Sequence, residues 1–510
     1  MNKKETLKQK RPNILLISSD QQHWNTIGAF NNEISTPSLD RLVQEGTTFT
    51  RAYCPNPTCT PTRASMITGK YPSQHGAWAL GTKLPETEET VGQFFSSGGY
   101  RTALIGKAHF QPLVANDEFP GIEARPVLWD FDFWREFNGP YYGFEHVELV
   151  RGHTNEADIG MHYALWMEQK GCKNWRGFFL PPTGNMSKEN RYTWDIPEEY
   201  HYDAWIAERS NAMLENYKQN DQPFFLWASF PDPHPAYFAP RPWDTMYDPE
   251  QLSLPTVHEG EHDKNPSHFQ MTQQKNPDFT SYHESGQKLM GLHSHLHEES
   301  NARKNMAVYY GMTSLMDKYI GTILNKLDEL GLSDNTIVIF TSDHGHFLGH
   351  HGLIAKGPFH YEDMIKVPMI IRYPGRVPQG NTSEALQSLV DLAPSLLSLC
   401  GLPIPRTMTG VDQSRNWFGE RESVRNHIIC ENHYDPTTVH LKTYVNKKYK
   451  LTVYFNKEYG ELFDLEKDPG ETENRWDDPD YNQIKSGLLL SFLWGEMGKE
   501  PMWMPRVFYA

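Results

Sequence analysis

Four short apolar runs in this chain each end in residues that could do chemistry. The run NILLIS (13–18) is followed at once by Asp20-Gln21, and TALIG (102–106) by Lys107-Ala108-His109. FFLWASF (224–230) leads into PDPHP with His234, and TIVIF (336–340) into Asp343-His344, with Lys356 a short loop later. Carboxylates, amines and imidazoles gathered in this way can bind an anion, a cation or both. A fifth stretch, Cys59-Thr60-Pro61-Thr62-Arg63, reads as a helix opening with Pro61 in the first turn and Arg63 one turn in from the thiol. A helix N-terminus presents free N–H groups and partial positive charge, a setting that suits an anion beside Cys59. A lone cysteine is more commonly a small buried hydrophobe, the reading given to Cys54.

The elements that would bring these residues together follow from the apolar pattern. Buried-strand runs at 13–18, 102–106, 224–230, 336–343 and 367–373 alternate with helical patterns at 38–46, 89–99, 307–331 and 385–401. That alternation predicts an α/β fold with a large, mostly parallel central sheet flanked by helices. Ligands in such sheets bind beyond the carboxyl ends of the strands, where the residues above fall. After 401 the texture changes to short strands and turns, so a smaller C-terminal α+β domain with an antiparallel sheet is expected over 421–510, the catalytic domain taking 1–420. Residues 111–200 and 231–290 are irregular and read as functional loops. The aromatic stretch 129–144 suits equally a sugar-stacking surface and a packed loop. HSHLH (293–297) reads as a surface segment, His75 as structural, and one or two of His346, His350, His351 and His360 are expected near substrate.

At 510 residues the chain exceeds a single ordinary core. A formal net charge of −16 argues against general affinity for nucleic acid or an anionic membrane. A local cluster of Lys, Arg and His can still hold an anion, because charges beyond about 8 Å are largely screened. The five cysteines are odd in number and irregular in spacing, which implies no disulfide framework. The basic N-terminus lacks a signal-peptide pattern and no run approaches a membrane span, so a cytoplasmic protein is expected.

Together these stretches resemble the formylglycine-dependent sulfatases of the alkaline phosphatase superfamily. Cys59-Thr60-Pro61-Thr62-Arg63 with ASMITGKYPSQHG is similar to that family's maturation signature, and GYRTALIGKAHF to its second signature. RPNILLISSDQQ, SDHGHFLGHHGLIAKGPFHYEDMIKVPMII and YGELFDLEKDPGE fall in the family's order, over roughly residues 11–475. The resemblance implies that a separate maturation enzyme oxidises Cys59 to Cα-formylglycine, whose hydrated aldehyde supplies a nucleophilic gem-diol oxygen supported by Arg63. It implies one divalent metal held by Asp20, Gln21, Asp343 and His344. Ca²⁺ is favoured for an oxygen-rich site, with Mg²⁺ or Mn²⁺ as alternatives. Lys107 and Lys356 would neutralise sulfate oxygens, His234 with Lys356 would protonate the leaving alcohol, and His109 would take a proton from the gem-diol.

The implied activity is hydrolysis of a sulfate monoester of a small sugar or other alcohol. The alternative is a phosphonate monoester or phosphodiester hydrolase using the same nucleophile. The Asp-Gln and Asp-His pairs occur in both groups, whereas Lys107-Ala108-His109 fits sulfatases. A third alternative is an inactive binder of sulfated ligands with an unconverted Cys59. The expected partners are the small-molecule ester and, transiently, the maturation enzyme, with no nucleic acid or membrane and with self-association left open.

Overall fold

The computed structural model describes residues 11–152, 159–179, 192–283, 288–433 and 438–508. At its centre is an eight-stranded sheet, in the order Asn381–Ser383, Thr47–Phe49, Met369–Arg372, Thr336–Ser342, Asn13–Ser19, Phe224–Ser229, Arg101–Gly106, His146–Leu149. The last five strands in that order are mutually parallel, and Met369–Arg372 runs against both its neighbours. Asn13–Ser19 and Thr336–Ser342 are buried at every residue because helices cover both faces. Leu15, Ile17, Leu226 and Phe340 pack toward helices Pro37–Glu45, Tyr202–Asn220 and Glu299–Glu329. Ile14, Leu16, Trp227 and Ile339 pack on the other side, with Cys59–Thr68, Val91–Ser97 and Leu392–Leu399.

Register makes the site possible. Ser18 pairs with Ser229, Ser229 with Gly106, and Ser19 with Ser342. The central strands therefore stop in step, and the residues that follow them leave the sheet at one level. Gly106 marks one such exit at φ +111, where an added Cβ would lie 2.0 Å from the Ser229 carbonyl oxygen. A side chain there would push Lys107 off the sheet edge.

Past the central sheet, Ile428–Asn432, Leu441–Val445, Tyr449–Tyr454 and Gly460–Asp464 form an antiparallel sheet in chain order. Helix Asn482–Met497 lays Leu488 and Phe492 on it, against Tyr444 and Leu451. Glu431 N donates to the Pro55 carbonyl at 2.7 Å, which ties this sheet to the segment leading into Cys59. Among the described residues no helix is long and apolar enough to cross a membrane.

Several elements differ from the sequence reading. The run at 367–373 divides at Pro368, which has no N–H to donate. Lys366–Val367 joins a small separate sheet and Met369–Arg372 the large one. The helix expected at 307–331 begins at Glu299, because its first two turns are mostly polar and carry no apolar stripe. The helix expected over 385–401 is only Leu392–Leu399, preceded by a strand at Gln387–Ser388. An edge strand at His146–Leu149 lies within the region read as loop. In the aromatic stretch, Trp134, Tyr141 and Phe144 are core residues, and Tyr141 and Tyr142 line a cavity of about 560 Å³.

Candidate active site

Cys59 is the first residue of helix Cys59–Thr68, and the preceding Thr58 is extended with no side chain capping the helix end. The first-turn N–H groups thus have no intrahelical acceptor. Cys59 is 1% exposed, yet its Sγ lies 3.2 Å from Lys356 Nζ, 3.2 Å from His344 Nε2 and 3.6 Å from Asp20 Oδ1. Burial, with the Asp20 charge, pushes the thiol up to about 11, so as a thiol it is a poor nucleophile at neutral pH.

Arg63, one turn into the helix and wholly buried, ties the strand ends together. Its Nε donates to Asp343 Oδ2 at 2.8 Å and its NH2 to Asp20 Oδ2 at 3.3 Å. Its NH1 donates to the Lys107 carbonyl at 2.9 Å and to Ser229 Oγ at 2.8 Å. Lys107 Nζ meets Asp20 Oδ2 at 2.5 Å, both side chains fully buried. Burial alone would raise the Asp20 carboxyl, but Lys107, His234, Arg63 and Lys356 hold it well below the usual carboxylate range. Two carboxylates stand here against three basic side chains, a balance that suits an anionic ligand.

The imidazoles are set by their backbone contacts. His344 Nδ1 lies 3.0 Å from the Gly345 carbonyl and donates to it, so the Nε2 lone pair faces Cys59. His234 Nδ1 donates to the Pro235 carbonyl, and its Nε2 accepts from Lys356 Nζ at 3.1 Å. Lys356 thus points one N–H at the His234 ring. His109 sits at φ +59 with Nδ1 buried and unpartnered. Burial, then the neighbouring Arg151 and Lys107, keep it well below the usual imidazole range and therefore neutral.

The donor set fits a divalent cation. Asp20, Cys59, Asp343 and His344 turn potential ligand atoms into one space, all within 4.8 Å of one another. Gln21 is wholly buried at φ +58, and neither Oε1 nor Nε2 of its amide has a partner. A buried carboxamide without a hydrogen bond costs about 1–3 kcal/mol, a cost a ligand would remove. Two carboxylates, an amide oxygen and an imidazole lone pair suit a hard or borderline ion.

Two other groupings, His23 with His350 and Asp363, and His201 with Asp203 and Asp232, have a similar composition. In each, an imidazole Nδ1 accepts a backbone N–H, from Asn25 at 3.1 Å and from Asp203 at 3.2 Å. The Nε2 atoms of His23 and His201 must then carry the proton, which makes them donors rather than ligands.

All ten residues singled out from the sequence lie along this edge of the sheet. The remaining histidines are held by other contacts. His75 Nε2 bonds Ser65 Oγ at 3.0 Å, His346 Nε2 bonds Tyr237 OH at 2.9 Å, and His360 Nδ1 bonds Thr443 Oγ1 at 2.7 Å. His351 stacks on Tyr361 at 3.6 Å, while His350 borders an open pocket of about 520 Å³. In the segment read as surface, His293 and His297 are exposed, but His295 is buried, its Nδ1 accepting from Ile354 N at 2.9 Å. The sequence reading passed over Ser229, Glu123 and Arg151. Ser229 and Arg151 had a legible signal, a polar residue at or just past a strand end, but the strand before Arg151 is only four residues long.

Known proteins share this chain's sequence pattern and fold. The family model described as sulfatase matches residues 12–402, and one described as the C-terminal part of N-sulphoglucosamine sulphohydrolase matches residues 349–493. The chain is 28% identical to the uncharacterized sulfatase YidJ of Escherichia coli over 94% of this chain and 86% of that one. It is also 28% identical to an arylsulfatase of Clostridium perfringens, over 93% and 92% of the two chains. In fold it is similar to a phosphonate monoester hydrolase of Agrobacterium radiobacter, with TM-score 0.78, 24% identity and 96% of each chain covered. With well over half of its length matched by that first family model, the chain belongs to the sulfatase family and is a sulfuric ester hydrolase.

Proposed function

We propose that this protein hydrolyses a sulfate monoester of a small sugar, aryl or other alcohol through a formylglycine formed from Cys59. The observation that carries the reading is the placement of Cys59 Sγ within 3.6 Å of Lys356, His344 and Asp20 at an uncapped helix start. Sγ stands where the oxygens of a hydrated aldehyde would begin. A thiol pushed up to about 11 gains little from this setting, whereas a gem-diol would be activated by it.

In the proposed sequence one gem-diol oxygen, its own proton released to water, attacks sulfur and the bond from sulfur to the alcohol oxygen breaks. The leaving oxygen takes a proton from the Lys356–His234 pair. The second gem-diol hydroxyl then gives its proton to His109, the C=O bond re-forms and sulfate departs with the electrons of the C–O bond. Water rehydrates the aldehyde. Lys107 and Lys356 offset charge on the transferring group, and Arg63 fixes the carboxylates. A divalent cation held by Asp20, Gln21, Asp343 and His344, with Ca²⁺ preferred for its oxygen ligands, would act as a Lewis acid toward a sulfate oxygen.

A phosphonate monoester or phosphodiester hydrolase is the second reading, kept open by Gln21 and His344, a pairing common to both groups, and by the fold's likeness to a phosphonate monoester hydrolase. The test is peptide mass spectrometry around residue 59, followed by turnover of paired sulfate and phosphonate monoesters on converted protein. Conversion with sulfate preference supports the first reading. Conversion with phosphonate preference supports the second, and full activity with an intact thiol overturns both.

A further inference from the structure

We infer that Glu123 is a positioning residue for the second half of the reaction, acting through His109; the inference rests on the role proposed for His109. Glu123 comes from the irregular region after the Arg101–Gly106 strand, is 1% exposed, and accepts four hydrogen bonds. Its Oε2 takes the backbone N–H of His109 at 2.9 Å and Arg151 NH1 at 3.2 Å. Its Oε1 takes the backbone N–H of Phe110 at 2.9 Å and Tyr141 OH at 2.7 Å. Arg151 NH1 also donates to the Gln111 carbonyl at 2.8 Å, so the carboxylate and guanidinium clamp the chain on both sides of Phe110.

His109 needs such a clamp. It sits at φ +59, a conformation costing a non-glycine residue about 1–3 kcal/mol, and no sheet partner holds its N–H. The carboxylate replaces the missing ladder acceptors at two consecutive residues. The imidazole itself makes no compensating bond at Nδ1, so its aim depends on the backbone beneath it. Lys107, two residues earlier, is held separately by Asp20 and by its N–H to Ser229 O at 2.9 Å. Loosening Glu123 should therefore disturb His109 and leave the sulfate-transfer half intact.

Glu123→Gln is nearly isosteric, and whichever way its amide turns, one of the two backbone N–H groups loses its acceptor. With converted protein and p-nitrophenyl sulfate, the expected result is a burst of nitrophenolate followed by a steady state lowered roughly 10–100-fold, part of what a placed general base supplies. Acid-quenched protein should retain the mass of one SO₃ on the residue-59 peptide. His109→Ala should give the same pattern, more strongly, and the double variant should be no slower than His109→Ala. Should Glu123→Gln not fold, Tyr141→Phe removes a single donor and should produce a smaller burst in the same direction. The inference is overturned if burst and steady state fall together, or if the two losses multiply. If His109→Ala bursts and the Glu123 and Tyr141 variants do not, this inference alone fails. If His109→Ala does not burst, the role of His109 fails and takes this inference with it.

Discussion

Buried charge is arranged differently around Glu431 and around Cys59. Glu431, on the first strand of the C-terminal sheet, is fully satisfied: Lys499 Nζ, Lys442 Nζ at 3.1 Å, Ser73 N at 2.8 Å and Ser73 Oγ at 2.9 Å all donate to it. Around Cys59 the carboxylates are equally buried and equally paired, but the neighbouring amide of Gln21 and the Nδ1 of His109 have no partner. Cations also outnumber carboxylates there. A completed network joins two parts of the chain and has nothing left to bind. An incomplete one keeps its unmet groups because a ligand or reacting group is meant to meet them.

The comparison can be broken most decisively at Cys59. Cys59→Ala should reduce turnover to background while thermal unfolding stays close to that of the parent, because one small buried side chain replaces another. Substantial residual turnover in a steady-state assay would contradict the proposed nucleophile. Next in effect on turnover, Asp343→Ala should remove an oxygen ligand and the Nε partner of Arg63. Elemental analysis should find about one divalent ion per chain in active protein and close to none in the variant. Chelation of the parent, and recovery on adding back Ca²⁺, checks the same claim without mutation.

Lys107→Ala should lower kcat on sulfate esters by roughly 10²–10³, the usual loss for one fixed electrostatic donor. On matching phosphonate monoesters the parent should show lower kcat/KM. If phosphonates are the better substrates and Lys107→Ala barely matters, the ligand pair Gln21 and His344 was the more telling feature.

The smallest effect on turnover, and a large one on stability, is expected at Glu431. Burial would raise its carboxyl, but Lys499 and Lys442 hold it well below the usual range. An unfolded glutamate titrates near about 4.3. The stabilisation is thus fully present above that pH and is lost as pH falls through the lower folded value. Glu431→Gln should cost about 2–3 kcal/mol at neutral pH, because Lys499 and the partly exposed Lys442 lose a charged acceptor and keep only Glu496. It should also flatten the acid limb of the stability profile and leave kcat nearly unchanged. Chemical denaturation across pH, paired with an activity assay, reads all three.

Much of the site was legible because its residues follow apolar runs. Asp20, Lys107, His234 and Asp343 each stand just beyond a strand whose burial shows in composition alone, and Cys59 to Arg63 is a continuous motif. Glu123 was not legible, and Arg151 only faintly so, as a polar residue just past a four-residue strand. Their importance comes from meeting across 28 residues of chain that include a helix and an edge strand, and nothing in local periodicity encodes such a contact. The helix Glu299–Glu329 was half legible for a related reason: apolar spacing reports the buried face, and its first turns bury little.

By itself the sequence determined the alternation of strands and helices, the antiparallel texture after 401 and the types of chemical group available, since local composition governs burial and periodicity. Only the tertiary structure decided which of those groups touch. Strand register places Ser19 opposite Ser342 and Gly106 opposite Ser229. That single alignment lets Arg63 reach Asp20, Asp343, Lys107 and Ser229 with one guanidinium. The protonation of His344, His234 and His201 was likewise beyond the sequence, because each ring nitrogen takes its role from the backbone group it faces. Distances of a few ångströms between residues hundreds apart in the chain are properties of the packed sheet, and the chemistry depends on those distances.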